Sequence, residues 1–452
     1  MIGDVSAGFG LLMEMGCGKS LTAIAIMGAA YERGAIKRVL IVAPASVVSV
    51  WPRELEESAA FPYKAAALTG TKAKRLKALQ ALQDSQSGAL KVAAINYEAT
   101  WRDGLLEALL AYDADLIVAD ESQRIKDHAA KSSKAMHELG ERARYRLILT
   151  GTPVQNNAVD VFSQYKFLDS SIFGNSFYSF RGAYCKMGGF ERRQVVGYRD
   201  LDGLISKVHS IAYRVTKAEA LDLPEQTFET RVIPMEKADR RVYDDLRREG
   251  YAELEELGAS ITAATVLTKL LRLQQFTGGF LQPDDGSKPV FKFDGKLQAL
   301  RDILTDYVLG EQKKIVIFCR FRAELQKIGE LLDELRIGYG CIYGDVKITD
   351  RGDVVKSFQT DPAVMACLAQ IDSAGLGLTL TAADTCVYYS LTFNYGTYTQ
   401  SLARIHRIGQ VNRCTYIHLL AEDTIDQKIM TALSAKEELA HTIVDDWRKY
   451  FE

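Results

Sequence analysis

A chain of 452 residues, 47% hydrophobic and 25% charged, has room for roughly two to four domains and the composition of an ordinary globular protein. Its formal net charge of −2 excludes a global basic field, so any nucleic-acid binding must rest on a local face. Seven scattered cysteines without a Cys-x-x-Cys pair argue against zinc and a disulfide framework, and for a reducing compartment; no stretch suits a membrane span or a signal peptide.

The first informative stretch is Leu11-Leu12-Met13-Glu14-Met15-Gly16-Cys17-Gly18-Lys19-Ser20-Leu21-Thr22. It reads as a phosphate cradle. Two glycines allow a tight turn with inward N–H groups, Lys19 supplies a point charge for the β- and γ-phosphates, and the Ser20 hydroxyl suits Mg²⁺. The Ala-, Ile- and Met-rich run 21–33 reads as the helix whose N-terminus faces the phosphates. Met13 stands where the usual pattern has glycine, and taken alone the stretch also fits an ordinary Gly-rich turn.

Buried strands are expected at 38–43, 91–95, 115–119 and 145–149, with helices between them at 74–83 and 104–110. This alternation predicts a doubly wound parallel sheet, with ligands beyond the carboxyl ends of its strands. Asp120-Glu121 stands at such an end. There Asp120 can hold a metal shell while Glu121 orients or deprotonates the attacking water; the bland alternative is a solvated loop pair. Thr150-Gly151-Thr152-Pro153 follows the next strand, as a γ-phosphate sensor, a nucleic-acid contact or a plain turn.

From 169 the β/α rhythm breaks. Val242, Leu246, Leu254 and Leu257 recur at helical spacing within 237–257, as do Leu267, Leu270, Leu271 and Gln274 within 261–276. Residues 280–295 read as a linker. Strands then fit 314–319, 364–369, 385–389 and 415–420, with a helix at 324–335 and C-terminal helices in 423–451. This is a second parallel-sheet lobe without its own phosphate loop. Arg404 and Arg407 are three apart, so on a helix they share a face suited to a developing phosphoryl charge; a surface basic helix is the alternative. His406 has no second ligand nearby and receives no catalytic role.

Several of these stretches together resemble one family. Met13 to Ser20, Asp120-Glu121-Ser122-Gln123-Arg124-Ile125-Lys126 and Leu149-Thr150-Gly151-Thr152-Pro153-Val154-Gln155-Asn156 resemble motifs I, II and III of the Swi/Snf-type ATPases, double-stranded DNA translocases of helicase superfamily two. Val42-Ala43-Pro44-Ala45-Ser46 onward resembles motif Ia, and Ala94-Ile95-Asn96-Tyr97-Glu98 motif Ib. Tyr213-Arg214-Val215-Thr216-Lys217 resembles the exit from the first lobe, and Ser373-Ala374-Gly375-Leu376-Gly377 motif V. Arg404-Ile405-His406-Arg407-Ile408-Gly409-Gln410 resembles motif VI. Gln123 replaces the commoner His of motif II.

The resemblance implies two RecA-like α/β lobes with helical insertions between them: 1–168, insertions and linker in 169–293, 294–422, and a C-terminal helical segment in 423–452. It implies ATP held by Gly16, Cys17, Gly18, Lys19, Ser20, Leu21, Asp120 and Gly377, Mg²⁺ on Ser20 and Asp120, and catalysis by Glu121, Arg404 and Arg407. It implies double-stranded DNA as partner, touched at Pro44, Ser46, Asn96, Thr150, Gly151, Arg320, Ser373 and Ala374. The expected protein is a monomeric, intracellular, cytoplasmic motor, nucleoid-associated if bacterial or viral. Two readings compete: a strand-separating DNA or RNA helicase, and a nucleotide-binding interaction subunit with weak turnover. Only 18 residues precede Lys19 and the first Gln is Gln80, so the family's adenine-contacting Gln segment is either truncated or replaced.

Overall fold

Apolar runs become buried parallel strands in the computed structural model, which describes residues 7–86, 88–188, 194–257, 263–281, 290–291, 293–346, 348–376 and 378–444. The chain divides into two compact units. One comprises 1–222 and 436–452, the other 223–435.

The first unit contains β1 (Gly8–Met13), β2 (Arg38–Ala43), β3 (Tyr63–Ala67), β4 (Leu90–Asn96), β5 (Leu116–Asp120) and β6 (Tyr145–Leu149). An antiparallel hairpin of β7 (Cys185–Gly188) and β8 (Gln194–Tyr198) follows, then β9 (Ala212–Val215). The sheet runs β3-β4-β2-β5-β6-β1-β9, every pair parallel. Successive side chains point to opposite faces. Val39 and Ile41 therefore join Ile24 and Met27 of α1 (Lys19–Glu32) and Trp51 and Leu55 of α2 (Trp51–Ser58). Leu40 and Val42 join Leu79 and Leu82 of α3 (Lys72–Asp84) on the other face, with Met136, Val161 and Phe162. Both faces are covered, which explains the unbroken apolar runs. Near the C-terminus, Leu439 and Ala440 pack on this core.

The second unit contains β10 (Gln226–Ile233), β11 (Phe280–Leu281), β12 (Val290–Phe291), β13 (Ile315–Cys319), β14 (Gly338–Ile342), β15 (Val364–Gln370), β16 (Thr385–Tyr388) and β17 (Cys414–Ala421). Its main sheet runs β10-β17-β16-β13-β15-β14, again all parallel. Leu325, Ile328 and Leu332 of the helix Arg322–Glu334 are buried, as their spacing predicts. The Lys296 ammonium and Asp426 carboxylate form an ion pair of 2.5 Å in this core, their side chains 1% and 3% exposed.

The fold class is the expected one, two doubly wound α/β lobes. Three features differ in detail. The stretch after 169 supplies β9 to the first sheet and β10 to the second. On the helix Lys237–Leu257 it is Tyr243, not Val242, that is buried. A strand pair, β11 with β12, stands within the expected linker, whose residues 282–289 and 292 lie outside the described set, as do 445–452 of the C-terminal segment. Among the described residues no helix is long and apolar enough to cross a membrane.

Candidate active site

β1 leads directly into the phosphate loop. Met13 is the last residue of that strand and is buried under α1, which is why an apolar side chain stands at the off-pattern position. Gly16 and Gly18 have φ of 87° and 81°, while a Cβ at either would meet nothing within 4 Å. Backbone conformation rather than space selects glycine there. Gly18 caps α1, whose first turn has no acidic residue, so unpaired N–H groups and the positive helix end stand at the loop. Lys19 Nζ donates to the carbonyls of Met13 (3.0 Å) and Glu14 (3.3 Å). The Cys17 N–H donates to Glu14 O, and burial, then the Glu14 charge, push its thiol up. Ser20 is half-buried in the first turn of α1, and Leu21 is exposed.

Asp120 ends β5, separated from β1 only by β6. It is buried, its Oδ2 accepts from Trp51 Nε1 (3.1 Å), and its main-chain carbonyl accepts from Tyr97 Oη (2.8 Å). Burial, then the Glu121 carboxylate, hold its carboxyl well above the ordinary value. Glu121 takes a left-handed conformation, φ 51°, uncommon for a residue with a side chain.

Two braces at this site escaped the sequence reading. Gln123 Nε2 donates to Glu121 Oε2 (2.5 Å), and Gln123 Oε1 accepts from Thr150 Oγ1 (2.7 Å), which in turn accepts from Thr152 N (3.1 Å). The Gln in place of the family's His thus joins the candidate water-activating carboxylate to the turn after β6. Arg214, on β9, donates to Leu12 O (3.1 Å), Gly151 O (3.4 Å) and Glu14 Oε1 (3.0 Å). Glu14 Oε2 accepts from Lys217 N (3.0 Å). One buried guanidinium therefore ties the phosphate loop to Gly151, whose own Cβ would lie 3.2 Å from Met13 O. The spacing Arg214…Lys217 was the available signal, but only pairing of β9 with β1 reveals its target.

The remaining first-unit candidates lie along the same sheet edge. Pro44 follows β2 and opens a turn by accepting from Val47 N (2.8 Å), with Ser46 half-buried within it. Asn96 ends β4, its Oδ1 accepting from Arg75 Nη1 (2.7 Å) and its Nδ2 donating to Glu98 Oε2 (2.7 Å). Thr150 is buried within the Gln123 chain.

In the second unit, Arg404 and Arg407 are not on a helix. The helix Tyr395–Leu402 ends before them, and both stand in the turn that follows. What brings them together is a shared acceptor: Nη1 of each donates to Leu378 O, at 3.4 and 3.3 Å. Gln410 sets this turn, donating from Nε2 to Ala383 O (2.9 Å) and Ile405 O (3.2 Å) and accepting from Val411 N and Asn412 N. His406 Nε2 contacts Pro224 O (2.8 Å). Arg320 Nη1 donates to Gln274 Oε1 (2.6 Å). Ser373 is buried in the short helix Ile371–Leu376, which also carries Ala374; Gly377 lies outside the described residues.

Residues 6–278 match the SNF2-related domain, and residues 295–409 match the helicase conserved C-terminal domain. The chain belongs to the SNF2 family. It is 27% identical over 455 residues to chromodomain-helicase-DNA-binding protein 1-like of Danio rerio, covering 96% of this chain and 42% of that protein. It is 24% identical over 439 residues to an uncharacterized ATP-dependent helicase of Mycoplasma genitalium, covering 96% and 40%. This SNF2-family chain thus spans about two-fifths of the length of these curated relatives. A solved structure of the Sulfolobus solfataricus SWI2/SNF2 ATPase core in complex with dsDNA matches at a TM-score of 0.42 and 24% identity, over 98% of this chain and 90% of that one.

Proposed function

We propose that the chain is an ATP-driven motor that moves along double-stranded DNA. The observation that carries this reading is the placing, in an SNF2-family chain, of the phosphate loop after β1 and of buried Asp120 with half-buried Glu121 at the end of β5, at one sheet edge, two strands apart. That is roughly 10 Å at a strand spacing of about 4.8 Å. Lys19 and the loop of residues 16–21, with the free N–H groups at the start of α1, hold the phosphates. Ser20 and Asp120 offer the hard oxygen donors that Mg²⁺ takes; burial, then the Glu121 charge, raises the Asp120 carboxyl, and a dication beside it favours the ionised form. Mg²⁺, when bound, neutralises charge on the β- and γ-phosphates.

Glu121, held by Gln123, accepts a proton from the attacking water. Arg404 and Arg407, paired through Leu378 O, supply positive charge to the departing γ-phosphate when the two units close. Closure and reopening shift the two units along a strand, mainly through phosphate contacts and without base preference. DNA as partner is supported by the relative from Danio rerio, whose name makes it DNA-binding. The motor works as a monomer inside the cell. The test is ATP hydrolysis measured in parallel without nucleic acid and with single strands, duplex DNA and RNA. Stimulation by duplex above the other three supports a duplex motor. Equal rates in all four reject it, and displacement of an annealed strand reassigns it as a helicase.

A further inference from the structure

We propose that the Tyr416 hydroxyl sets the arginine turn of the second unit, which makes Tyr416 a positioning residue for ATP hydrolysis; this rests on the role given above to Arg404 and Arg407. The last carbonyls of a helix have no partner within it. In the helix Tyr395–Leu402 one of these is Leu402 O, and Arg404 stands two positions on. Tyr416, on β17, donates from Oη to Leu402 O at 2.7 Å.

The side chain suits a fixed post. Tyr416 is fully buried, and its ring stacks on Phe228 of β10 with 5.1 Å between centroids. A tyrosine has only two side-chain torsions, so packing on the ring also fixes the oxygen. Gln226 Nε2 donates to the same oxygen (3.2 Å), which leaves the hydroxyl proton for Leu402 O. Burial holds the phenol above its ordinary pKa of 10.0, so the proton stays in place at neutral pH.

Two neighbouring contacts serve the body of the helix instead. Ser401 Oγ donates to Tyr398 O (2.6 Å), so Tyr388 Oη is the donor to Ser401 Oγ (2.6 Å). Tyr398 Oη meets His418 Nε2 (2.9 Å). Both of these hold side chains, whereas Tyr416 grips main chain at the helix exit. Beyond that exit, Arg404 N donates to Ser401 O (3.1 Å), Arg404 O accepts from Leu380 N (2.9 Å), and Nη1 reaches Leu378 O. The peptide joining Leu402 to Ala403 is the one Tyr416 orients, and it sets the direction in which the chain enters Arg404. Without that bond the guanidinium groups keep their charge and lose their aim.

A double-mutant cycle on duplex-stimulated ATP turnover by the full chain tests this, with Tyr416→Phe, Arg404→Gln/Arg407→Gln and all three changes together. Tyr416→Phe keeps the ring and removes the oxygen. Its kcat should fall about ten-fold, the order expected of a misplacement below about 1 Å. KM for ATP should stay within about two-fold, because the phosphate loop belongs to the other unit. In the background lacking both arginines, the same change should lower kcat by less than about two-fold, since its effect runs through them. Tyr388→Phe loosens the helix body, and its kcat should stay within about two-fold of wild type. Gln226→Leu, at an exposed position, removes only the donor to Tyr416 Oη; it should lower kcat about two- to three-fold at an unchanged melting temperature, and it carries the test where Tyr416→Phe melts early. An equal kcat loss with and without the arginines overturns the proposal. So does wild-type kcat in Tyr416→Phe, or a loss as large in Tyr388→Phe. Wild-type kcat in Arg404→Gln/Arg407→Gln is a separate failure: it removes the arginines from the motor reading, and this proposal with them.

Discussion

Gln123→Leu keeps the volume of a buried side chain and removes both amide contacts, the donation to Glu121 Oε2 and the acceptance from Thr150 Oγ1. A hydrogen bond to a charged group contributes about 1.5–3 kcal/mol. If that bond orients Glu121 toward the attacking water, its loss raises the barrier by a similar amount. At about 1.4 kcal/mol per decade, kcat falls roughly ten- to hundred-fold. Residues 16–21 of the loop are untouched, so KM for ATP should stay within about two-fold. Thr150 is fully buried and loses its acceptor, so unfolding should also become easier by about 1–3 kcal/mol. Gln123→His, whose ring has one donor and one acceptor, should recover most of kcat. Steady-state phosphate release with saturating duplex reads both constants. A raised KM with kcat unchanged would refute the orienting role.

Gly18→Ala places a side chain at φ 81° and should cost about 1–3 kcal/mol and weaken nucleotide binding, read by calorimetry; unchanged affinity contradicts the cradle. Arg214→Gln leaves Glu14 without its cation and frees the Gly151 turn, so KM for ATP should rise at least several-fold, with partial rescue by Arg214→Lys. Lys296→Met strands a buried Asp426 and should destabilise the second unit by about 3–5 kcal/mol in urea unfolding. Burial pushes Glu324, which accepts from Ser390 Oγ and the Phe321 and Arg320 N–H groups, up to about 7 from an ordinary 4.5. A raised carboxyl pKa favours the protonated fold, so its contribution is complete below pH 4.5 and is lost as pH rises through 7. The shift corresponds to about 3 kcal/mol, and Glu324→Gln should gain on wild type by that order between pH 4.5 and 7.5. An equal gap at both pH values contradicts the assignment.

Strands of both lobes were legible where burial on two faces demands an unbroken β-branched run, as in Val39-Leu40-Ile41-Val42 and Ile315-Val316-Ile317-Phe318. Strands at sheet edges were not. β3 is rich in Ala and partly exposed, β9 has four residues, and β10 alternates with exposed Phe228 and Val232. Local composition does not separate such segments from loops. The glycine turn before α1 and the strand-end position of Asp120-Glu121 were legible because their signals are local in sequence. Arg214 was not, because its work depends on β9 pairing with β1 some 200 positions away. Arg404 and Arg407 were placed together for the wrong reason: a turn and a common carbonyl, not a helical face, unite them.

The central claim is that duplex DNA drives ATP turnover through Glu121. ATP hydrolysis by the full chain, with and without duplex, beside Glu121→Gln, tests it most directly. The account predicts a rate raised by duplex and falling with salt, and a Glu121→Gln rate lower by about a hundred-fold or more with nucleotide still bound. A rate indifferent to duplex, or full activity in Glu121→Gln, would contradict it.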